Sequence, residues 1–257
     1  QNGSDFWIVS PPDNSGTYHS YLLTSLGVNP VPVITNIGST YADSYGYLRG
    51  SPDGDKIGAC FYSWGNVAEF CLYDFDKSTG MLSNLMAFTN FPPASADTSS
   101  WGSHPYGAEF SPSGRFLYIA AENSFTISQY DLLAGSYIDI ANSQILISNN
   151  TILGGGALQL APDNKIYVAH WTQDVSNWTF SSSSTISVIN NPDILGLGCN
   201  ISQNSVSLST GSCQLGLPTF YSSIFLSNTI DFLNLCYGDS TYFTSTNTSL
   251  DSVLWDF

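Results

Sequence analysis

The sequence predicts an all-β chain built from repeated four-stranded antiparallel units. Three observations carry this: a turn motif that recurs at regular spacing, a constant set of strands around each copy, and a composition rich in strand formers. The motif is Gly46-Tyr-Leu-Arg-Gly-Ser-Pro-Asp-Gly54, then Gly107-Ala-Glu-Phe-Ser-Pro-Ser-Gly114, then Gly156-Ala-Leu-Gln-Leu-Ala-Pro-Asp-Asn164. Pro, Asp, Ser, Gly and Asn in this order suit a tight turn between paired strands. A cation and an apolar strand follow each time: Lys56-Ile-Gly-Ala-Cys60, Arg115-Phe-Leu-Tyr-Ile-Ala120 and Lys165-Ile-Tyr-Val-Ala169. Asp5-Phe-Trp-Ile-Val9 matches the second half of the unit and is read as an earlier copy.

Two weaker strands follow each hairpin. They are Tyr18–Leu23 and Pro32–Thr35, Val67–Tyr73 and Leu85–Phe88, Thr126–Tyr130 and Gln144–Ile147, and Thr185–Ile189 and Ser205–Leu208. No segment holds a helical period over several turns. Four antiparallel strands in every stretch of about 50 residues is the pattern of a β-propeller blade. A stacked β-sandwich is the rival, and the regular return of one turn motif argues against it. The blades fall near 1–38, 39–92, 101–150 and 151–212, with a closing strand at 214–226, so that the propeller region spans 1–228.

Composition agrees and sets limits on function. Hydrophobic residues make up 42% and aromatics 14%, so a core can form and strands are favoured. Charged residues are only 10%, and five Lys plus Arg face twenty Asp plus Glu. A chain at −15 has no cationic cluster with which to displace counterions, which excludes nucleic acid as a partner. Adhesion to anionic membrane is disfavoured for the same reason. No apolar run reaches the roughly 20 residues of a membrane helix, and the N-terminus does not read as a signal peptide.

Five cysteines are present, none in a CxxC pair, so a zinc site is not expected. Cys60 and Cys71 flank Gly65-Asn66. If that pair forms a two-residue hairpin turn, the two lie opposite each other and either form a disulfide or stay as buried thiols. Cys199 and Cys213 bracket a short polar strand, and a disulfide is expected there. Cys236 is left over, its partner lying beyond this sequence.

Aligning the copies places Arg49, Glu109 and Gln159 at one equivalent position on successive innermost strands. A polar ring lining a central channel is expected. It would either contact a ligand or form a buried ion pair completed by the Gln159 amide. The bland reading is the stronger.

Tyr106-Gly-Ala-Glu-Phe-Ser-Pro-Ser-Gly114, Gly156-Ala-Leu-Gln-Leu-Ala-Pro-Asp163, Val188-Ile-Asn-Asn-Pro192 and Gln214-Leu-Gly-Leu-Pro-Thr-Phe220 resemble repeat propellers of large secreted or surface proteins of Bacteroidetes. Gly238-Asp239 and Trp255-Asp-Phe257 are similar to the start of a PKD-type immunoglobulin-like domain, which sets 229–257 apart. The resemblance implies a larger ring of about seven blades, of which about four lie in this chain. It also implies export by the type IX route, an extracellular or cell-surface location, and partners among other domains or chains of one assembly.

A search for chemistry finds little. His19, His104 and His170 show no spacing that would bring them to a nucleophile or carboxylate. Asp13-Asn-Ser-Gly16, Pro52-Asp-Gly-Asp55 and Asp74-Phe-Asp76 offer oxygen ligands of the kind calcium takes, but turn formation explains them equally. No cofactor is expected, with calcium the open alternative. Trp101, Trp171, Trp178 and Phe180 sit among polar loop residues and are candidate ligand contacts, for a sugar or a protein. Weak glycosylation motifs stand at Asp239-Ser-Thr241 and Asp251-Ser-Val253. The expectation is therefore a non-catalytic interaction or scaffold module, an adhesin or appendage component. The alternatives are a carbohydrate-binding propeller and, behind it, a propeller hydrolase or lactonase. That last class gathers carboxylates, Asn and His around a channel metal, which Arg49 beside one acid would serve poorly.

Overall fold

The computed structural model describes residues 5–10, 16–38, 46–61, 69–88, 104–122, 125–150, 153–174, 179–217, 230–233 and 242–245. They form four antiparallel sheets in succession along the chain. The first holds β1 (Phe6–Ser10), β2 (Thr17–Thr24), β3 (Gly27–Val28) and β4 (Val33–Asn36). The second holds β5 (Leu48–Gly50), β6 (Lys56–Phe61), β7 (Glu69–Asp76) and β8 (Met81–Phe88). The third holds β9 (Pro105–Phe110), β10 (Phe116–Ala121), β11 (Phe125–Asp131) and β12 (Ile145–Asn150). The fourth holds β13 (Leu153–Leu160), β14 (Ile166–Asp174), β15 (Thr179–Ser182), β16 (Thr185–Ile189) and β17 (Ile201–Ser207). A separate hairpin, β18 (Ile230–Leu233) with β19 (Tyr242–Ser245), follows. The remaining residues of 229–257 lie outside the described residues, as does 218–226 of the expected closing strand.

The repeated motif folds the same way each time. Gly54, Gly114 and Asn164 donate their N–H to the carbonyls of Ser51, Ser111 and Ala161, closing three equivalent turns at 2.8, 2.8 and 3.0 Å. All three sit in the left-handed region, at φ 74°, 73° and 60°, where Gly carries no steric cost and Asn little. The Ser51 and Ser111 hydroxyls also accept the N–H groups of Lys56 and Phe116, which open the returning strands.

Strand alternation then sorts side chains between neighbouring sheets. Ile57, Ala59 and Phe61 of β6 face the first sheet, packing with Tyr18, Trp7 and Val9. Cys60 points the other way, into a core shared with Phe110, Leu117 and Ile119 of the third sheet. On β10, Phe116, Tyr118 and Ala120 leave that core for the next one, against Leu158, Leu160, Ile166 and Val168 of the fourth sheet. The apolar faces of each sheet thus pack on its neighbours, with polar clasps added at each junction. The Trp7 indole donates to the Lys77 carbonyl at 2.9 Å, and the Tyr137 hydroxyl to the Ala87 carbonyl. Asp193 accepts from the Ser113 amide and hydroxyl, while Tyr118 donates to the Pro192 carbonyl.

Three elements depart from the sequence reading. A six-residue helix, α1 (Tyr137–Asn142), interrupts the third sheet, closed by a capping box between Ser136 and Asp139. It is too short to show a period. A 3-10 turn at Gly196–Cys199 is shorter still. The segment read as a loop from Trp171 onward instead prolongs β14 to Asp174, which pairs with β15.

Candidate functional site

The innermost strands β5, β9 and β13 all begin at one end of the molecule and run toward the turns. At this leading end their backbones come very close. The Tyr47 N–H donates to the Tyr106 carbonyl at 3.0 Å. A Cβ on Gly107 would lie 2.2 Å from the Gly156 carbonyl oxygen, so only glycine fits there. The Ala157 N–H donates to the Leu215 carbonyl at 2.7 Å, which continues the series by one more step.

Below this end the three equivalent polar residues meet. The Arg49 guanidinium donates to the carbonyls of Ala108 and Leu158 and to the Gln159 side-chain oxygen, at 3.3, 2.8 and 3.0 Å. Glu109 stands 3.7 Å from it and accepts the N–H groups of Phe110 and Leu160. All three side chains are buried. Burial pushes the Glu109 carboxyl above its usual range, against the pull of Arg49 and the two amides. Every strong polar group here is met from within, so the cluster works as a plug beneath the leading end.

Above the plug lies a partly open group. The Tyr47 hydroxyl is held by the Leu217 backbone, its ring lies edge-on to Tyr106 at 5.7 Å, and the Arg49 guanidinium caps it at 4.9 Å. Glu122 follows β10, and its N–H pairs with the His104 carbonyl where β9 begins. Burial raises the Glu122 carboxyl above its ordinary value; burial first, then the nearby Tyr47 and Glu122 charges, raise the Tyr106 hydroxyl. Neither the Glu122 carboxyl nor the Tyr106 hydroxyl has a hydrogen-bond partner among the described residues. Sequence reasoning passed over both. The repeat alignment drew attention to the strand middles, whereas these residues stand where neighbouring strands start and stop.

Other expected site residues fall elsewhere. Trp171 is buried, 7% exposed, with its ring occupying the space a Cβ on Gly154 would need; it is corrected from an exposed contact to a packing residue. Trp101, Trp178 and the side chain of Phe180 lie outside the described residues. The disulfide expected between Cys199 and Cys213 is corrected, and of the two readings of Cys60 and Cys71 the buried thiols hold, because all four described cysteines are free. Cys60 stands opposite Phe70 and Cys71 opposite Ala59, a one-residue offset that sends the two thiols to opposite faces of the sheet. Both are buried, which pushes each thiol up to about 12. Cys199 is buried in the core between the third and fourth sheets, while Cys213 bridges to Ser183 and donates to the carbonyls of His170 and Thr185.

Among the described residues no group of three or more His, Cys, Asp or Glu could hold a metal ion. The acidic turns considered for calcium hold one another instead. Asp53 accepts from Ser51, Asp74 from Lys56 and Asn84, and Asp76 from Ser78 and Thr79. Asp13 lies outside the described residues.

Consecutive antiparallel sheets of four or five strands packed face to face, with inner strands converging at one end, define an all-β architecture of propeller type. No family model matches the chain, and no curated protein matches it. Solved structures similar to it include a provisionally named 6-phosphogluconolactonase from Bacteroides uniformis. It is 15% identical at a TM-score of 0.43, over 81% of this chain and 71% of that one. Another is a provisionally named TolB from Agrobacterium tumefaciens, 17% identical at 0.47, over 83% and 64%. A third is the periplasmic gluconolactonase PpgL of Pseudomonas aeruginosa, 12% identical at 0.39, over 84% and 86%. The chain spans 54% of the length of a further similar structure, from Lactobacillus plantarum. At these scores the likenesses carry no argument about substrate. They do correct the expectation that the chain is not an enzyme: sheets of this kind occur in proteins named as enzymes, so the architecture gives no ground for excluding catalysis.

Proposed function

We propose that the chain forms part of a propeller hydrolase of the lactonase type, working at the leading end of its inner strands. The observation that carries this is the pairing of Glu122 and Tyr106. Both groups are partly buried, both are shifted upward by that burial, and neither has a hydrogen-bond partner among the described residues. A carboxyl held above its ordinary value by burial gives up and takes back a proton more readily than an exposed one. In this reading Glu122 takes a proton from the water that attacks the lactone carbonyl, and returns it to the ring oxygen as the ester C–O bond breaks. The Tyr106 hydroxyl donates to the carbonyl oxygen as negative charge builds on it. Tyr47, fixed by Leu217, holds the floor of the site in place.

The test is hydrolysis of D-glucono-1,5-lactone by the purified chain, corrected for spontaneous opening. Glu122→Gln is expected to lower kcat by about 100-fold, the range of a lost general acid or base, with the thermal midpoint unchanged. Equal rates for the two proteins would sink the reading. The resemblance to secreted repeat propellers supports a setting outside the cytoplasm, within a larger surface protein in which 229–257 opens the next domain.

A further inference from the structure

The chain has five cations, Arg49, Lys56, Lys77, Arg115 and Lys165, and the structure describes all of them. Each is within ion-pair distance of a carboxylate: Arg49 with Glu109, Lys56 with Asp74, Lys77 with Asp55, Arg115 with Asp131, and Lys165 with Asp163. Their placement is as telling as their pairing. Lys56 opens β6, Arg115 and Lys165 immediately precede β10 and β14 at the same turn end, and Lys77 follows β7 there. Arg49 lies in the plug, its guanidinium turned to Ala108, Leu158 and Gln159. Of the five, only Arg49 comes near the leading end, against the Tyr47 ring, and its guanidinium is buried and taken up by Ala108, Leu158, Gln159 and Glu109; the sequence holds no further lysine or arginine. Two histidines stand at this end, His104 just before β9 and His170 on β14 opposite Gly155, and burial lowers the basicity of His170. Among the described residues the site presents Tyr47, Tyr106 and the Glu122 carboxyl, in a chain whose formal charge is −15.

From this segregation of charge we infer that the leading-end site takes an uncharged, hydroxyl-rich ligand and turns away its phosphorylated or carboxylated counterparts. Phosphate recognition needs a guanidinium, an ammonium or a cluster of free amides to replace the lost hydration. Here an anion would give up water to face a carboxyl and two phenols, under repulsion from the rest of the chain. A neutral polyol loses nothing comparable. Its hydroxyls donate to Glu122 and exchange hydrogen bonds with Tyr106, and its C–H face lies on the tyrosine rings. The inference rests on the lactonase-type reading for the location of the site, and extends it to the class of substrate.

The experiment has two arms at pH 8, so that the two readings fail separately. Turnover of D-glucono-1,5-lactone is compared with that of its 6-phosphate. The neutral lactone is expected to be preferred at least 100-fold in kcat/KM, and equal or reversed preference overturns the inference. If neither is hydrolysed, the hydrolase reading falls and the second arm decides charge selection alone. There, saturation-transfer NMR is recorded with D-glucose and with D-glucose 6-phosphate as probes. Transfer to glucose only, abolished in Tyr106→Ala, supports the inference. Transfer to the phosphate, or to neither sugar, overturns it.

Discussion

Arg49 and Glu109 show how unequal two partners of one ion pair can be. Arg49 has three acceptors besides Glu109, so Glu109→Gln leaves it solvated and should cost only about 1 kcal/mol in urea unfolding. Arg49→Met leaves the buried Glu109 charge with two amide donors alone, and a cost of about 3 to 5 kcal/mol is expected. The sign of the pH effect follows. Because burial holds the Glu109 carboxyl above its ordinary value, the native state keeps that proton longer than the unfolded chain. The Arg49→Met deficit should therefore shrink as pH falls toward the raised value, and a deficit independent of pH would count against this account. His170 works in the opposite sense. Burial lowers its basicity, so stability should be lost as pH falls through the ordinary histidine value near about 6.5. A His170→Gln variant should be flatter over that window in thermal unfolding.

Among the elements, the turns were the most legible and the strand ends the least. Pro-Asp-Gly, Pro-Ser-Gly and Pro-Asp-Asn announce a reversal because only certain residues tolerate the backbone they must adopt. Asn164 at φ 60° marks the one copy in which glycine is replaced. Asn164→Gly should be neutral or mildly stabilising and Asn164→Val destabilising by about 1 to 2 kcal/mol, read by urea midpoints. Cys60 and Cys71 were misread because sequence separation gives no parity: one residue of offset decides which face each thiol meets, and no local signal marks it. Gly107 and Gly154 were silent for a related reason. The Gly156 carbonyl and the Trp171 ring that exclude a Cβ at these positions come from strands that only the fold brings alongside. Glu122 and Tyr106 share that origin, being joined by the register of β9 and β10 with the neighbouring β5.

For the molecule as a whole, repeat spacing made a succession of antiparallel sheets legible, because a recurring unit must bury its faces against copies of itself. The total number of blades has no such signature, since the turn motif and strand spacing within one unit do not depend on it. The charge balance was visible from composition, but its segregation was not, because the strand directions place four of the five cations at the turn end and bury the fifth, Arg49, in the plug. With net charge −15 and the cations already paired, self-repulsion should weaken the folded state at low ionic strength. The thermal midpoint is expected to rise as sodium chloride is added from low millimolar levels to about 0.15 M, where the screening length is about 8 Å. A falling midpoint would mean that the five ion pairs outweigh the repulsion.

Side chains of β10 enter the cores on both flanks, Leu117 and Ile119 on one side and Phe116, Tyr118 and Ala120 on the other. A strand wedged in this way can open only when two junctions let go together, whereas an outlying strand such as β4 depends on one. Deuterium uptake should then be graded along the chain, with the amides of Phe116–Ala121 the last to exchange and those of Val33–Asn36 among the first. The third sheet would serve as the anchor from which the others fray.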